Sequence, residues 1–312
     1  MKATKARNVR YRALVGTVAA LLLSLPANAA WKPMASPPAP TGYAAAESIN
    51  GIIYIAGGNS GGPNSMLQAF NPETNAWTSL ANMPLTLYQG NGAGAINSQL
   101  YVAGGWNGPL PTNILLMYDP PSNTWKQLAG MPHLSACGGT GVINGKLYVT
   151  TACNGYSGYA NYLDVYDPAT NAWTSLAGSS SAHAAAAIGV IDGKLYVAGG
   201  VNGSGTLTKV FEVYDPAANS WTTLAPMKTA ITFAASVALN GRLYVFGGTN
   251  GTADVTTVQV YDPHTNKWTT SVALPAALSG SSAAVVDGLV FVVAGDGSGT
   301  ANQYLVISPS LP

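Results

Sequence analysis

The stretch that decides the fold is Tyr214-Asp215-Pro216-Ala217-Ala218-Asn219-Ser220-Trp221. Related blocks, each opening with Tyr or Phe and closing with Trp, stand at 70–77, 118–125, 166–173 and 261–268. Their tryptophans are separated by 48, 48, 48 and 47 residues. A period this regular indicates a repeat architecture, so the repeats are identified before any single element is assigned.

A second repeating block precedes each of these and contains a tight turn. In the first repeat it is the segment Ile49–Gly58, with Asn50-Gly51 at its turn. Asn-Gly or Asp-Gly between apolar runs is a strong hairpin signal, because both residues tolerate positive φ. Each repeat therefore predicts four strands in 47 or 48 residues, which is the size of one β-propeller blade.

These landmarks resemble the kelch motif: a Gly pair, then Tyr-Asp-Pro, then Trp with Leu and Met-Pro after it. The resemblance extends from residue 31 to about residue 307. The third repeat departs from it, since Thr151-Ala152 replaces the Gly pair. The resemblance implies that ligands meet the face built from the second-to-third-strand loops and the connections between blades.

The two ends of the repeat region each supply part of a blade. Trp31 matches the Trp of a fourth strand, and the segment from Val286 to Ile307 supplies three strands without a Trp block. We therefore expect an all-β, six-bladed β-propeller of four-stranded blades. The ring is expected to close by pairing the N-terminal strand, with Trp31, to the last blade, which removes two sheet edges. Residues 30–312 then form a single domain.

The first strands are rich in Ala and Gly. By helix propensity alone the segment His183–Ile188 would be assigned to a helix. The period overrides that assignment, because six inner strands crowd around one axis and small side chains fit there. The tyrosines of the second strands are expected to fill the wider space between blades, and the repeat tryptophans the periphery; both sets are interpreted as core.

Residues 1–29 are typical of a secretory signal peptide. A basic segment with five Lys or Arg residues precedes the apolar run Ala13–Leu25 and the small residues Ala27-Asn28-Ala29. The run is too short for a comfortable membrane span, although an N-terminal anchor is the alternative. We expect a secreted or periplasmic protein, with no membrane span after cleavage, and a monomer.

Charge argues against nucleic acid as a partner. Loss of the leader leaves eight basic residues against 12 acidic ones, a net charge near −4, without the clustered Lys and Arg that phosphates require. The three dispersed histidines give no metal-ligand spacing, and we expect no metal and no cofactor. Most Asp residues are explained by turns. Glu47, the sole charge on its first strand, has no explanation in the sequence.

Residues that break the repeat pattern on the loop face are the candidates for a site. Tyr88, Ser135 and His183 are taken as equivalent positions in the connections between blades. The candidate ligand-binding residues are Tyr88, Trp106, Ser135, Tyr156, Tyr159 and His183. Aromatic residues could stack on sugar rings or grip a peptide, or else pack the loops. His183 is a weak catalytic candidate as acid or base, with a structural role as the alternative.

Cys137 and Cys153 are the two cysteines of the chain, and the secretory leader favours a disulfide. They lie on the two arms of one hairpin near its loop end. The register of the arms decides whether they share a face, so two reduced thiols remain the alternative.

Three functions are compatible with this pattern. The leading interpretation is a non-catalytic binding module that holds a glycan or a protein through the loop face. The second is a periplasmic carbohydrate enzyme similar to the kelch-fold sialic acid epimerases, although no Arg or Glu stands in the expected connections. The third is a structural surface repeat without a ligand. Enzymatic activity stays uncertain, and the scarcity of ionisable residues disfavours it.

Overall fold

The described part of the chain alternates between strands and turns. The computed structural model describes residues 31–39, 41–59, 62, 64–88, 92–155 and 158–293, together with the backbone of Leu305–Ile307. Within these ranges the regular elements are all strands, so the all-β prediction is confirmed. Over the same residues, no helix has the length and apolar character needed to cross a membrane.

Blades 1 to 3 are antiparallel four-stranded sheets, each built from one continuous stretch of chain. A two-residue strand, β1 (Lys32–Pro33), precedes them. Blade 1 consists of β2 (Ala45–Ile49), β3 (Ile52–Ala56), β4 (Leu67–Asn71) and β5 (Ala76–Ser79). Blade 2 consists of β6 (Ala93–Ile96), β7 (Gln99–Ala103), β10 (Leu115–Asp119) and β11 (Thr124–Gln127), with the small hairpin β8 (Trp106–Asn107) and β9 (Leu110–Pro111) in its loop. Blade 3 consists of β12 (Gly139–Ile143), β13 (Lys146–Cys153), β14 (Tyr159–Asp167) and β15 (Ala172–Leu176).

Blades 4 and 5 repeat this arrangement, and a last sheet is composite. Blade 4 consists of β16 (Ala187–Ile191), β17 (Lys194–Ala198), β18 (Phe211–Asp215) and β19 (Ser220–Thr223). Blade 5 consists of β20 (Ala235–Leu239), β21 (Arg242–Phe246), β22 (Val258–Asp262) and β23 (Lys267–Ser271). The composite sheet consists of β24 (Ser282–Val286), β25 (Leu289–Val293), β26 (Leu305–Ile307) and the N-terminal β1.

The prediction of a six-bladed ring needs correction, because the described chain forms five complete blades from continuous segments. The remaining four-stranded sheet combines the two ends of the chain, with Lys32 opposite Ile307 and Pro33 opposite Val306. Its outer strand has two residues and its third strand has three, whereas the strands of the complete blades have four or more. Trp31, expected within that outer strand, lies just before it.

The repeated Tyr…Asn-Xaa-Trp block clamps each blade to the one before it. In blade 4, the Tyr214 hydroxyl donates to Asn219 Oδ1 at 2.7 Å, and the same oxygen accepts the amide of Ala177 at 3.0 Å. The indole Nε1 of Trp221 donates to the Ala177 carbonyl at 2.7 Å. The equivalent indole bonds run from Trp77, Trp125, Trp173 and Trp268 to the carbonyls of Ala35, Ala81, Ala129 and Ala225. Trp31 donates in the same sense to the Val272 carbonyl, at 3.4 Å.

Crowding at the axis explains the small residues of the first strands. A Cβ atom on Gly94, Gly141 or Gly189 would lie 2.6–2.7 Å from a leucine Cδ1 on the second strand of the next blade. The segment Ala187–Ile191 is a strand, as the repeat period predicted against helix propensity. Tyrosines of the second strands pack between blades as expected, for instance Tyr101, whose exposed fraction is 3%.

Candidate functional site

The inner strands begin at a ring of equivalent residues on the face that carries the long loops. Tyr43, Cys137, Ala185, Phe233 and Gly280 all have positive φ, between 52° and 62°. Four of these amides donate to the carbonyl of a counterpart in the preceding sheet: Ala185 to Cys137 at 2.6 Å, Phe233 to Ala185 at 2.9 Å, Gly280 to Phe233 at 2.8 Å and Tyr43 to Gly280 at 2.7 Å. We call these five residues the rim. Their hydrogen bonds offset the strain of left-handed backbone and fix the opening of a central channel.

The central channel has a volume of about 460 Å³, within the range of small-molecule sites. Its wall consists mainly of Ala, Gly and Val residues and of backbone from the first strands. Of the described residues that line it, Glu47 on β2 is the one with an acidic or basic side chain. The equivalent residues in the other complete blades are Gly94, Gly141, Gly189 and Val237.

The environment of Glu47 favours its protonated form. Its Oε1 accepts the Ser48 amide at 2.8 Å, and no other described group bonds the carboxyl. Burial raises the pKa of Glu47 to about 7, although the Ser48 hydrogen bond acts in the opposite direction. The Glu47 side chain has room beside blade 2, because blade 2 has the small residue Ala95 at this position. Blades 3 and 4 have the larger residues Val142 and Val190 at the equivalent position.

Trp106 lies beside the rim, in the short hairpin of blade 2. Its indole Nε1 donates to Cys137 Sγ at 3.4 Å, and its ring packs on a small cluster with Ala136, Ala152 and Ala184. The side chain is half-buried. Trp106 therefore joins the loop of blade 2 to the start of blade 3, and it presents part of its ring to the loop face.

The two cysteines are neighbours, as the hairpin predicted, and both are in the reduced form in this structure. Ala136 and Cys153 face each other as a bridge pair, and the left-handed backbone of Cys137 brings its sulfur to Cys153. The hydrogen bond from Cys153 lowers the pKa of Cys137, burial opposes that change, and the Trp106 N–H adds to the lowering. The same bond and burial raise the pKa of Cys153. The predicted disulfide remains a prediction.

Tyr88 and Ser135 are not at equivalent positions, contrary to the sequence interpretation. Tyr88 exchanges backbone hydrogen bonds with Trp106, at 2.9 and 3.2 Å, and corresponds to Ala136 and Ala184. Ser135 is one position earlier in its repeat, is fully buried, and bonds the backbone of Thr112. The spacing from the preceding tryptophan is 11 residues for Tyr88 and ten for Ser135, so the sequence contained the signal.

His183 is an internal anchor of the connection between blades 3 and 4. Its exposed fraction is 4%, its Nδ1 lies 2.8 Å from the Gly199 carbonyl, and its Nε2 lies 2.9 Å from Glu212 Oε2. Burial acts to raise the pKa of Glu212, but hydrogen bonds from His183 and Ser180 outweigh it and hold that pKa below its usual value. His183 does not line the channel, which removes the geometric basis for a role in acid–base chemistry there.

Exposed apolar side chains occur in the loop of blade 2, in the connection to blade 3 and in the first part of β14. Tyr162 is 41% exposed and stacks on His133, with ring centroids 4.0 Å apart and planes at 11°. Tyr159, Leu110 and Leu134 are 40%, 45% and 46% exposed. We call these five residues the loop-face strip. Tyr156, predicted for the same surface, lies outside the described residues.

The buried carboxylate of Asp164 fixes the position of the His133 ring. Its Nδ1 lies 2.9 Å from Asp164 Oδ2, and the Ser175 hydroxyl donates to the other carboxylate oxygen at 2.7 Å. Asp164 is fully buried. The stacked pair His133 and Tyr162 is thus a preorganised part of the strip. Across the described chain, no group of three or more His, Cys, Asp or Glu side chains is arranged to hold a metal ion.

Comparison with known proteins places this chain among the repeat propellers. A family model described as "KLHDC2/KLHL20/DRC7 Kelch-repeats domain" matches residues 142–309, more than half of the 312 residues. The chain belongs to the kelch-repeat family. A second kelch model, described as "Kelch motif", matches residues 40–84 and 89–132. A solved structure described as "Structure of YjhT" aligns with a TM-score of 0.77 at 20% identity, over 88% of this kelch chain and 99% of that one. At this identity the likeness shows the fold.

Two features of this kelch protein were missed by reasoning from the sequence. The first is a buried polar residue two positions before the repeat Tyr or Phe of the third strand, present in four of the five complete blades: Gln68, Asp164, Glu212 and Gln259. Each anchors a connection between blades, and its recurrence at one repeat position was a readable signal. The second is the position of Glu47 in the channel, for which the signal was a carboxylate where other repeats have small or apolar residues.

Proposed function

We propose that this kelch protein is a binding module that holds a protein partner on the loop-face strip. The observation that supports the proposal is the exposure of Leu110, Leu134, Tyr159 and Tyr162 within blades 2 and 3 and the connection between them. Aliphatic and tyrosine side chains together suit a protein surface, because tyrosine offers a rigid apolar body with a polar tip. A glycan is the alternative ligand, and the experiment below distinguishes a protein partner from a glycan.

Export of the protein belongs to the same proposal. The basic and apolar leader at residues 1–29 supports delivery to the periplasm or the medium. The partner is therefore sought in the cell envelope or outside the cell. The weak charge of the strip favours binding with little dependence on salt, since few ion pairs would form across the contact.

The test uses paired variants of the protein. The double variant Leu134→Ser, Tyr159→Ser removes two exposed apolar side chains from the strip. The control is Val272→Ser at the end of blade 5, a residue 50% exposed outside the strip, whose contact with Trp31 uses the backbone carbonyl. Equal melting temperatures for the three proteins establish that each is folded.

Immobilised protein is incubated with envelope extract, and bound proteins are quantified by mass spectrometry. We expect a partner that the parent and Val272→Ser retain equally and that the double variant loses at least tenfold, confirmed with the purified partner. A partner retained equally by all three proteins would place the contact elsewhere. Binding on a glycan array that depends on the strip, without a protein partner, would replace the protein ligand by a glycan.

A further inference from the structure

We propose that the central channel is a separate site for a small organic cation, an alkylammonium group held by the Glu47 carboxylate beneath the rim. This site goes beyond the loop-face strip, and none of the strip residues lines it. Its ligand is therefore independent of the protein partner.

The charge balance of the channel supports a cation. Among the described residues that line the channel, Glu47 is the one with an acidic or basic side chain. Among the described groups, the Ser48 amide is the one that donates a hydrogen bond to its carboxyl. A carboxylate taken out of water is unfavourable unless it gains a counter-charge or a proton. A ligand ammonium provides the charge and three N–H donors, so it satisfies the carboxylate directly.

The shape of the channel supports an elongated ligand with an apolar body. Tyr43 and Phe233 stand at the rim with ring centroids 5.3 Å apart in an edge-to-face arrangement. Glu47 lies four residues after Tyr43 in the chain, on the strand β2 that begins at Ala45. The wall of the channel consists largely of Ala, Gly and Val residues. Aromatic rings at the mouth also favour a passing cation through their π faces.

The rim shows a second feature typical of a ligand site. Ser281, next to Gly280, lines the channel with an exposed fraction of 9%, and its hydroxyl has no hydrogen-bond partner among the described residues. A Cβ atom at Gly280 would lie 2.7 Å from the Tyr43 ring, so glycine at this place allows Tyr43 to lean across the opening. Buried polar groups without partners are uncommon, and a ligand or a water is the ordinary explanation.

Protonation of Glu47 competes with the ligand. The elements packed against β2 are β3, β6, β7 and β24, and their ionisable side chains are Tyr54 and Tyr101. Burial raises the pKa of both tyrosines, so they are neutral near pH 7. Tyr43 and Cys137 are the further ionisable residues of the lining. With a Glu47 pKa of about 7, the ionised fraction increases about tenfold between pH 6 and pH 8.

The probe is n-hexylamine, and n-hexanol is its uncharged analogue. Isothermal titration at pH 8 compares the parent with Glu47→Gln, which keeps the size of the side chain, and with Glu73→Gln, which removes an exposed carboxylate outside the channel. We expect hexylamine to bind the parent and Glu73→Gln alike and Glu47→Gln at least tenfold more weakly. Hexanol should bind all three proteins weakly, and hexylamine should lose about tenfold in affinity from pH 8 to pH 6.

A second measurement locates the ligand in the channel. Affinity should increase about fourfold per methylene from n-butylamine to n-hexylamine, because each added carbon is buried against the wall. Phe233→Ala should weaken hexylamine binding while the protein stays folded, as judged by its melting temperature. Absence of hexylamine binding at pH 8, or equal binding by the parent and Glu47→Gln, would overturn the proposal. Equal binding by the parent and the strip double variant separates this site from the loop-face contact.

Discussion

Replacing Glu47 by Gln should make the protein more stable at neutral pH and leave it little changed in acid. The pKa of Glu47 is raised from 4.5 to about 7 by burial, so the folded state binds a proton more tightly than the unfolded chain. For a group of this kind, stability is greatest below the unfolded pKa and is lost as the pH rises through the folded pKa. The window therefore runs from about pH 4.5 to about pH 7.

The magnitude follows from the size of the shift. Each pKa unit corresponds to about 1.4 kcal/mol, so the carboxyl lowers the free energy of unfolding by up to about 3 kcal/mol once it is ionised. Gln is neutral at every pH and has nearly the same shape. The difference in unfolding free energy, Glu47→Gln minus parent, should increase by up to that amount between pH 4.5 and pH 8.

Urea titrations followed by tryptophan fluorescence measure both proteins at half-unit steps of pH. Glu73→Gln is the matched control, because Glu73 is exposed and its difference from the parent should stay flat. No alkylamine is present, so the result concerns the protein alone. A difference that changes by less than about 0.5 kcal/mol across the range would show that Glu47 is solvated and would refute the reasoning.

Three further predictions concern the framework. Protein produced in an oxidising compartment should have an intact mass two hydrogens below the reduced value, because Cys137 and Cys153 are neighbours; two alkylatable thiols in that protein would reject the disulfide. Asn219→Ala should lower the free energy of unfolding by about 1–3 kcal/mol in urea titrations, since the buried Tyr214 hydroxyl loses its acceptor; an unchanged midpoint would contradict the clamp. Trp31→Ala should lower it by about 3–5 kcal/mol, because Trp31 is 7% exposed, and a protein as stable as the parent would show that ring closure does not depend on that side chain.

Much of the scaffold could be predicted because several copies of the repeat can be aligned. The alignment decides between helix and strand where a single segment does not. A single Ala-rich segment such as His183–Ile188 favours helix by propensity, but five aligned copies of the Trp block overrule it. The ends of the ring were harder to predict, because the outer strand of the composite sheet has no Tyr…Asn block of its own. Its extent depends on pairing with a strand far away in sequence, which no local pattern encodes.

The candidate site was predicted less well, because repetition identifies unusual residues without showing where their side chains lie. His183 broke the pattern and is a buried anchor, since a carboxylate on the neighbouring third strand captures it. Glu47 also broke the pattern, and it lines the channel. The two cases look alike in sequence. His183 has a buried carboxylate, Glu212, as its partner, whereas Glu47 has no such partner among the described residues. Whether a partner is present depends on how the strands align in three dimensions.

The pairing of β1 with β26 has a consequence for the order in which the protein can be made. Lys32 leaves the ribosome long before its partner Ile307, so the final sheet cannot form until all five complete blades have emerged. Each complete blade can assemble from local contacts as it emerges, whereas the last contact requires closing a loop that spans nearly the whole chain. Until then the nascent chain carries open sheet edges at both ends, a state in which edge-to-edge association with other chains is the characteristic hazard.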